Sequence, residues 1–211
     1  MIKILACIFM LIDHVGYVFF PDIITLRLIG RLSMPLYAYC IARGIQYTHD
    51  KKQYLFRLFG IAVTSQIPYM LMVRKFKLNV CFLWAGAVVL IWGYKAIKSN
   101  LRRFLFTSGI ILAFVIIPVD YGLYGLLYVI ISHFSSKKSD TSMYCLWLGL
   151  HALYMILDLP GGIIQLFTLP TIPIIDICNK FFTEKPKKNI LITWFYPIHM
   201  MVLLMIQIIM H

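Results

Sequence analysis

Long apolar runs separated by short polar intervals recur along the whole chain, without the strict alternation of a half-buried strand. In lipid such runs can only be helices, because every backbone N–H and C=O must be satisfied within the segment itself. The runs fall at residues 2–20, 26–45, 54–73, 78–97, 104–118, 121–133, 143–157, 161–178 and 190–210. They predict an all-α, polytopic integral membrane helical bundle of about nine transmembrane helices, forming a single integral membrane domain over residues 1–211. The fifth and sixth runs are short, and a broken or re-entrant pair is expected around Pro118, Asp120 and Gly122.

The polar intervals carry the sidedness. Basic residues gather at Arg43/Lys51/Lys52/Arg57, Lys95/Lys98/Arg102/Arg103, Lys137/Lys138 and Lys180/Lys185/Lys187/Lys188. Cytoplasmic loops collect Lys and Arg, which predicts a cytoplasmic N-terminus and an outer C-terminus. Only Arg74-Lys75-Phe76-Lys77 runs against this pattern.

Composition agrees with lipid as the solvent. Hydrophobic residues make up 61% of the chain and charged residues 13%, with a mean hydropathy of +0.84. A soluble domain would be about a quarter charged. The net charge of +12 would suit nucleic acid, but basic inner loops account for it and no nucleic-acid partner is expected. The five cysteines lie in or beside apolar runs without a C-x-x-C pair and read as buried free thiols. No cleavage site follows the first run, so it is expected to stay as a membrane helix. No metal-ligand spacing, phosphate loop or G-x-S-x-G appears.

Against this background, ionisable groups inside the runs stand out. Asp13 and His14 interrupt ILACIFMLIDHVGYVFF. A central Asp costs about 2.5–3.5 kcal/mol on insertion scales, so such groups usually line a cavity or do chemistry. His14 suits a general base, and Asp13 could orient a neighbour or pair with Arg31; a purely structural ion pair is the alternative. Arg31, in IGRLSMPLYAYCIARG, needs an anion, either Asp13 or an acidic ligand, unless it snorkels. Ser65, Gln66 and Pro68 make a polar, kinked stretch within an apolar run. Asn79 is explained by capping a helix. Asp120, Tyr121, Gly122 and Gly125 form DYGLYG, where Asp120 either caps a helix or faces an outer cavity. Trp194, Tyr196, Pro197 and His199 lie in WFYPIHM, and His199 could meet the first helix or merely pack. His151 lies within a run and has no reading from sequence.

The ordered set MLIDHVG, IGRLSMPLYAYCIARG, YLFRL, SQIPY, LN, DYGLYG and FYPIHM resembles the TraX family over Lys3 to about Met200. That family is named for a conjugative F-pilin acetylase and is similar to the broader acyltransferase-3 group. Members of that group tend to carry a key histidine in the first span and an aromatic-x-x-His in the last, the places held by His14 and His199. The resemblance implies an integral membrane acetyltransferase using acetyl-CoA as cosubstrate, without a metal. Its acceptor would be the N-terminal amine of a peptide or pilin, or the hydroxyl of another small acceptor. His14 would be general base or acetyl carrier, with Asp13, Arg31 and His199 completing the catalytic set. Arg43, Lys51, Lys52, Arg57 and Gln66 would serve acetyl-CoA, and Asp120, Tyr121 and Tyr196 the acceptor. A transporter or channel-like carrier is the second expectation, and a non-catalytic accessory or immunity protein the third.

Overall fold

The computed structural model describes residues 1–135, 140–181 and 190–210. Lys137, Lys138, Lys185, Lys187 and Lys188, which entered the reading of sidedness, lie outside the described residues. The described chain is helical throughout: α1 Ile2–Phe19, α2 Ile24–Gly30, α3 Ser33–Tyr47, α4 Lys51–Val73, α5 Val80–Ala96, α6 Asn100–Ile116, α7 Gly122–Ser135, α8 Asp140–Leu157, α9 Leu159–Leu166, α10 Thr171–Phe181 and α11 Ile190–Met210. Four stretches among the described residues are long and apolar enough to cross a bilayer: Ile2–Phe19, Lys51–Val73, Leu159–Phe181 and Ile190–Met210. Val80–Ala96, Gly122–Phe134 and Tyr144–Leu157 are apolar but shorter.

Two predicted runs are broken, and proline explains both. A proline has no N–H to give to the carbonyl four residues back. Pro35 thus releases the carbonyl of Arg31, and the run 26–45 divides there, with Arg31 at φ −59, ψ −24 and Leu32 at φ −61, ψ −23. The Leu32 N–H reaches only three residues back, to Ile29, as in a 3₁₀ turn. Pro170 and Pro173 likewise divide the run 161–178 at Phe167–Pro170.

The fifth and sixth runs are separate helices joined by a tethered loop. Leu78 and Val119 form a parallel bridge, with Leu78 N–H donating to Pro118 O at 2.8 Å and Asp120 N–H donating to Leu78 O at 2.8 Å. The turn that follows places Tyr121 at φ 62 and Gly122 at φ 44. For tyrosine this left-handed conformation costs roughly 1–2 kcal/mol.

Helices α1, α3, α5, α4 and α11 pack in a closed ring, each against the next. α7 lies outside it on α3 and α5, and carries α8. α5, buried along nearly its whole length, is the centre of the core, whereas α6 buries none of its residues. Exposed Leu101, Phe104, Leu112, Val115 and Ile116 on α6 are an acceptable surface only in an apolar solvent.

Candidate functional site

Two cavities open inside the five-helix ring, towards opposite ends of α1. The first, about 350 Å³ with its mouth, is lined by Asp13, His14, Gly30, Ser33, Asp120 and Tyr121 among others. The second, about 730 Å³ with its mouth, is lined by Lys3, Cys40, Tyr54, Arg57, Cys81 and Thr193 among others. Tyr37, Trp84 and Tyr196 line both.

Beside the first cavity, α1 and α11 bring His14, which lines it, against His199 across 185 residues of sequence. His14 Nδ1 lies 2.7 Å from His199 Nε2, and the rings meet edge to edge, with centres 5.0 Å apart and planes at 12°. His199 Nδ1 lies 2.7 Å from the carbonyl oxygen of Phe195. A carbonyl can only accept, so His199 Nδ1 carries a proton. With both rings neutral, His199 Nε2 then accepts from His14 Nδ1–H, and the lone pair of His14 is left on Nε2. One chain of hydrogen bonds thereby fixes both tautomers and leaves His14 as the base of the pair. Tyr196 stands beside both rings, at 6.2 Å from His14 and 5.7 Å from His199.

Asp13 is paired with Arg27 rather than with Arg31. Arg27 Nη1 lies 2.9 Å from Asp13 Oδ2 and also donates to Asp13 O at 3.0 Å. The other carboxylate oxygen, Oδ1, is buried without a hydrogen-bond partner. Gly30 makes the close approach possible, since a Cβ there would fall 2.6 Å from Asp13 Cα. Arg31 instead donates to the Tyr121 hydroxyl at 3.2 Å, and its Nε is buried without a partner. Asp120 is held by Lys77 Nζ at 3.0 Å and lines the first cavity.

The remaining predicted residues separate into two groups. Arg57 lines the second cavity with its guanidinium 5.4 Å from the Tyr54 ring centre. Arg43 and Lys51 are exposed and lie over Tyr47 and Trp92 at 4.7 and 5.7 Å; Lys52 is exposed. Gln66 lies with none of them. Its Oε1 accepts from Asn79 N–H at 3.0 Å and Nδ2 at 2.9 Å, and its Nε2 donates to Lys77 O at 2.8 Å. Asn79 caps α5 by accepting from Cys81 N–H at 3.0 Å. His151 sits in a separate buried network, with Nδ1 2.7 Å from Trp147 O and Nε2 2.6 Å from Thr168 Oγ1.

Sequence reading passed over Arg27, Tyr37 and Trp84 as site residues. Arg27 stands one helical turn before Arg31, a spacing that marks both as candidates for Asp13. Tyr37 and Trp84 are aromatic residues in apolar runs and carry no such signal. No group of three or more His, Cys, Asp or Glu able to hold a metal occurs among the described residues.

The sequence model of the family described as TraX protein matches residues 1–207. A probable fimbrial assembly protein, FimC of serogroup H1 from Dichelobacter nodosus, is 24% identical over 161 residues, covering 69% of this chain and 66% of that protein. An uncharacterized protein, RP591 of Rickettsia prowazekii (strain Madrid E), is 34% identical over 61 residues, covering 29% of this chain and 23% of that protein. The chain thus spans less than two thirds of either relative. No solved structure gives a significant match.

Proposed function

The chain belongs to the TraX family, and from that membership we propose that it is an integral membrane acetyltransferase. The donor is acetyl-CoA. The acceptor is an amine or hydroxyl, with the N-terminal amine of a pilin-like peptide as the first choice, in keeping with the fimbrial name of one relative. The protein lies in the bacterial cytoplasmic membrane in about nine spans with its N-terminus inside, as its basic intervals favour. That sidedness turns the Lys3–Arg57 cavity towards the cytoplasm, where CoA resides, and the Asp13–His14 cavity outwards.

The observation that carries this reading is the hydrogen-bonded pair of histidines, with His14 on a cavity and the tautomers set so that its free lone pair is on Nε2. In the proposed step the acceptor nitrogen or oxygen bonds to the thioester carbonyl carbon, and the C–S bond breaks with its electron pair going to sulfur. His14 Nε2 takes the acceptor's proton and returns it to the CoA thiolate, so acetylated acceptor and free CoA are the products. Its imidazolium is steadied by the hydrogen bond it donates to His199, which donates in turn to the Phe195 carbonyl. Arg57 at the other cavity suits CoA phosphates, with Arg43, Lys51 and Lys52 as further basic residues on that side.

The test uses purified protein in nanodiscs with acetyl-labelled acetyl-CoA and a short peptide acceptor. Wild type should form labelled peptide and release CoA, and His14→Ala should lower the rate by about 10²–10⁴-fold at unchanged expression. Full activity of that variant would sink the assignment. Two cavities with a common wall also suit a carrier that opens alternately. A carrier would move solute without CoA and leave no modified product.

A further inference from the structure

The basic interval Arg74-Lys75-Phe76-Lys77 runs against the sidedness of the other basic intervals, so topology leaves it unexplained. It joins α4 to α5 beside the first cavity and is fixed at both ends. At one end the Val73 carbonyl accepts from the Tyr17 hydroxyl at 3.2 Å, and Tyr17 lies under the guanidinium of Arg27, the partner of Asp13. At the other end Lys77 O accepts from Gln66 Nε2, and Lys77 Nζ holds Asp120. Asp13 and Asp120 both line the cavity. Arg74 closes α4 in the left-handed conformation, at φ 55 and ψ 34, where glycine is usual and other residues are strained. Between the two ties Arg74 and Lys75 stand exposed, without an ion pair among the described residues, and Phe76 is 85% exposed.

The charges around this opening do not balance. Arg27, Arg31 and Lys77 stand against Asp13 and Asp120, with Arg31 donating to the neutral hydroxyl of Tyr121. Arg74 and Lys75 add two further cations. Asp22, exposed between α1 and α2, pairs with none of them. Such an excess at a mouth with low-dielectric walls draws in an anion. We propose that the Arg74-Lys75-Phe76 turn is a docking site for an acidic segment of the acceptor peptide. Arg74 and Lys75 hold its carboxylates and Phe76 an apolar side chain beside them, a few residues from the amine that enters the cavity. The inference rests on the reading of the acceptor as a peptide amine. The same excess of cations disfavours the protonated form of that amine, so it meets His14 as the free base that attacks. A lipid headgroup would meet these cations from the bilayer, whereas the cavity behind the turn suits a chain that continues inward.

The experiment measures binding of two peptides, labelled with a fluorophore at the C-terminus, to the full chain in nanodiscs of zwitterionic lipid. Both peptides have a free N-terminal amine, and they differ only in carrying Glu or Gln at two positions near it. The Glu peptide should bind wild type about threefold to thirtyfold more tightly than the Gln peptide. That preference should fade in high salt and vanish in Arg74→Gln/Lys75→Gln. Lys98→Gln/Arg102→Gln removes the same charge from another exposed stretch and should keep the preference. With acetyl-CoA present, the KM for the Glu peptide should rise in Arg74→Gln/Lys75→Gln while kcat stays near that of wild type. Equal affinity for the two peptides, no binding of either, or a preference that survives Arg74→Gln/Lys75→Gln would overturn the docking site. A preference lost equally in Lys98→Gln/Arg102→Gln would reduce it to net charge and overturn it too. Anionic lipid retained by wild type and lost by Arg74→Gln/Lys75→Gln, with peptide binding unchanged, would give the turn to lipid instead. Glu-selective binding without acetylated peptide or CoA release would keep the docking site and sink the acetyltransferase reading. Acetylation of both peptides at equal affinity would do the reverse.

Discussion

At the residue scale the site rests on pairs. Arg27 neutralises one oxygen of Asp13 and ties the Asp13 carbonyl as well, so it holds α2 against the stretch of α1 that carries His14. Removing one member of a buried ion pair leaves the other uncompensated, at a cost of about 3–5 kcal/mol. Arg27→Met should lower stability by about that much, measured by urea or sodium dodecyl sulfate titration in micelles, and Asp13→Asn/Arg27→Met should recover most of the loss. His14, Asp13 and His199 were legible in the sequence because a polar group in an apolar run has few reasons to be there. The partner of Asp13 was not. Whether Arg27 or Arg31 reaches it depends on the turn that Pro35 opens between α2 and α3, and the sequence shows the proline but not the direction in which the two arginines then point. Trp84 was illegible for a different reason: an aromatic residue in an apolar run looks the same whether it lines a cavity, as here, or packs in the core.

At the scale of elements, apolar periodicity located the helices and missed the interruptions in two of the runs. Hydropathy averages over a break of three or four residues when the flanking residues stay apolar, as around Phe167–Pro170. From sequence, Ser65 and Gln66 made a polar, kinked stretch, and Gln66 was assigned to acetyl-CoA. In the structure Ser65 Oγ donates to Ile61 O, and Gln66 joins α4 to the Lys77–Asn79 segment by three hydrogen bonds. The bridge from Leu78 to Val119 continues that tether to Asp120 and Tyr121. Gln66→Ala should therefore act on stability, by about 1–3 kcal/mol for the buried groups left unpaired, and leave the KM for acetyl-CoA unchanged. Arg57→Ala should do the reverse, raising that KM with little change in melting temperature. Swapped phenotypes would place the donor site on α4 near Gln66 instead.

At the scale of the whole molecule, the chain's solvent and helical class followed from composition, since a chain so apolar and so sparsely charged has no other stable surface. The ring of α1, α3, α5, α4 and α11 did not follow, because lipid-facing and ring-facing positions are equally apolar and hydropathy cannot tell them apart. Nor could the sequence divide the interior into two chambers. Their separation by Tyr37, Trp84 and Tyr196 has a consequence unrelated to acyl transfer. A bacterial membrane stores energy as a proton gradient, worth about 2.3 kcal/mol per charge for each 100 mV. Two wet chambers meeting end to end would conduct that charge along a file of water. On the proposed sidedness the three aromatic rings would then be electrical insulation as well as a wall. Vesicles holding Tyr37→Ala/Trp84→Ala should lose an imposed pH gradient several-fold faster than vesicles holding wild type, as followed by an entrapped pH dye. On the proposed membrane placement, a cell making the leaky variant would dissipate its own power supply.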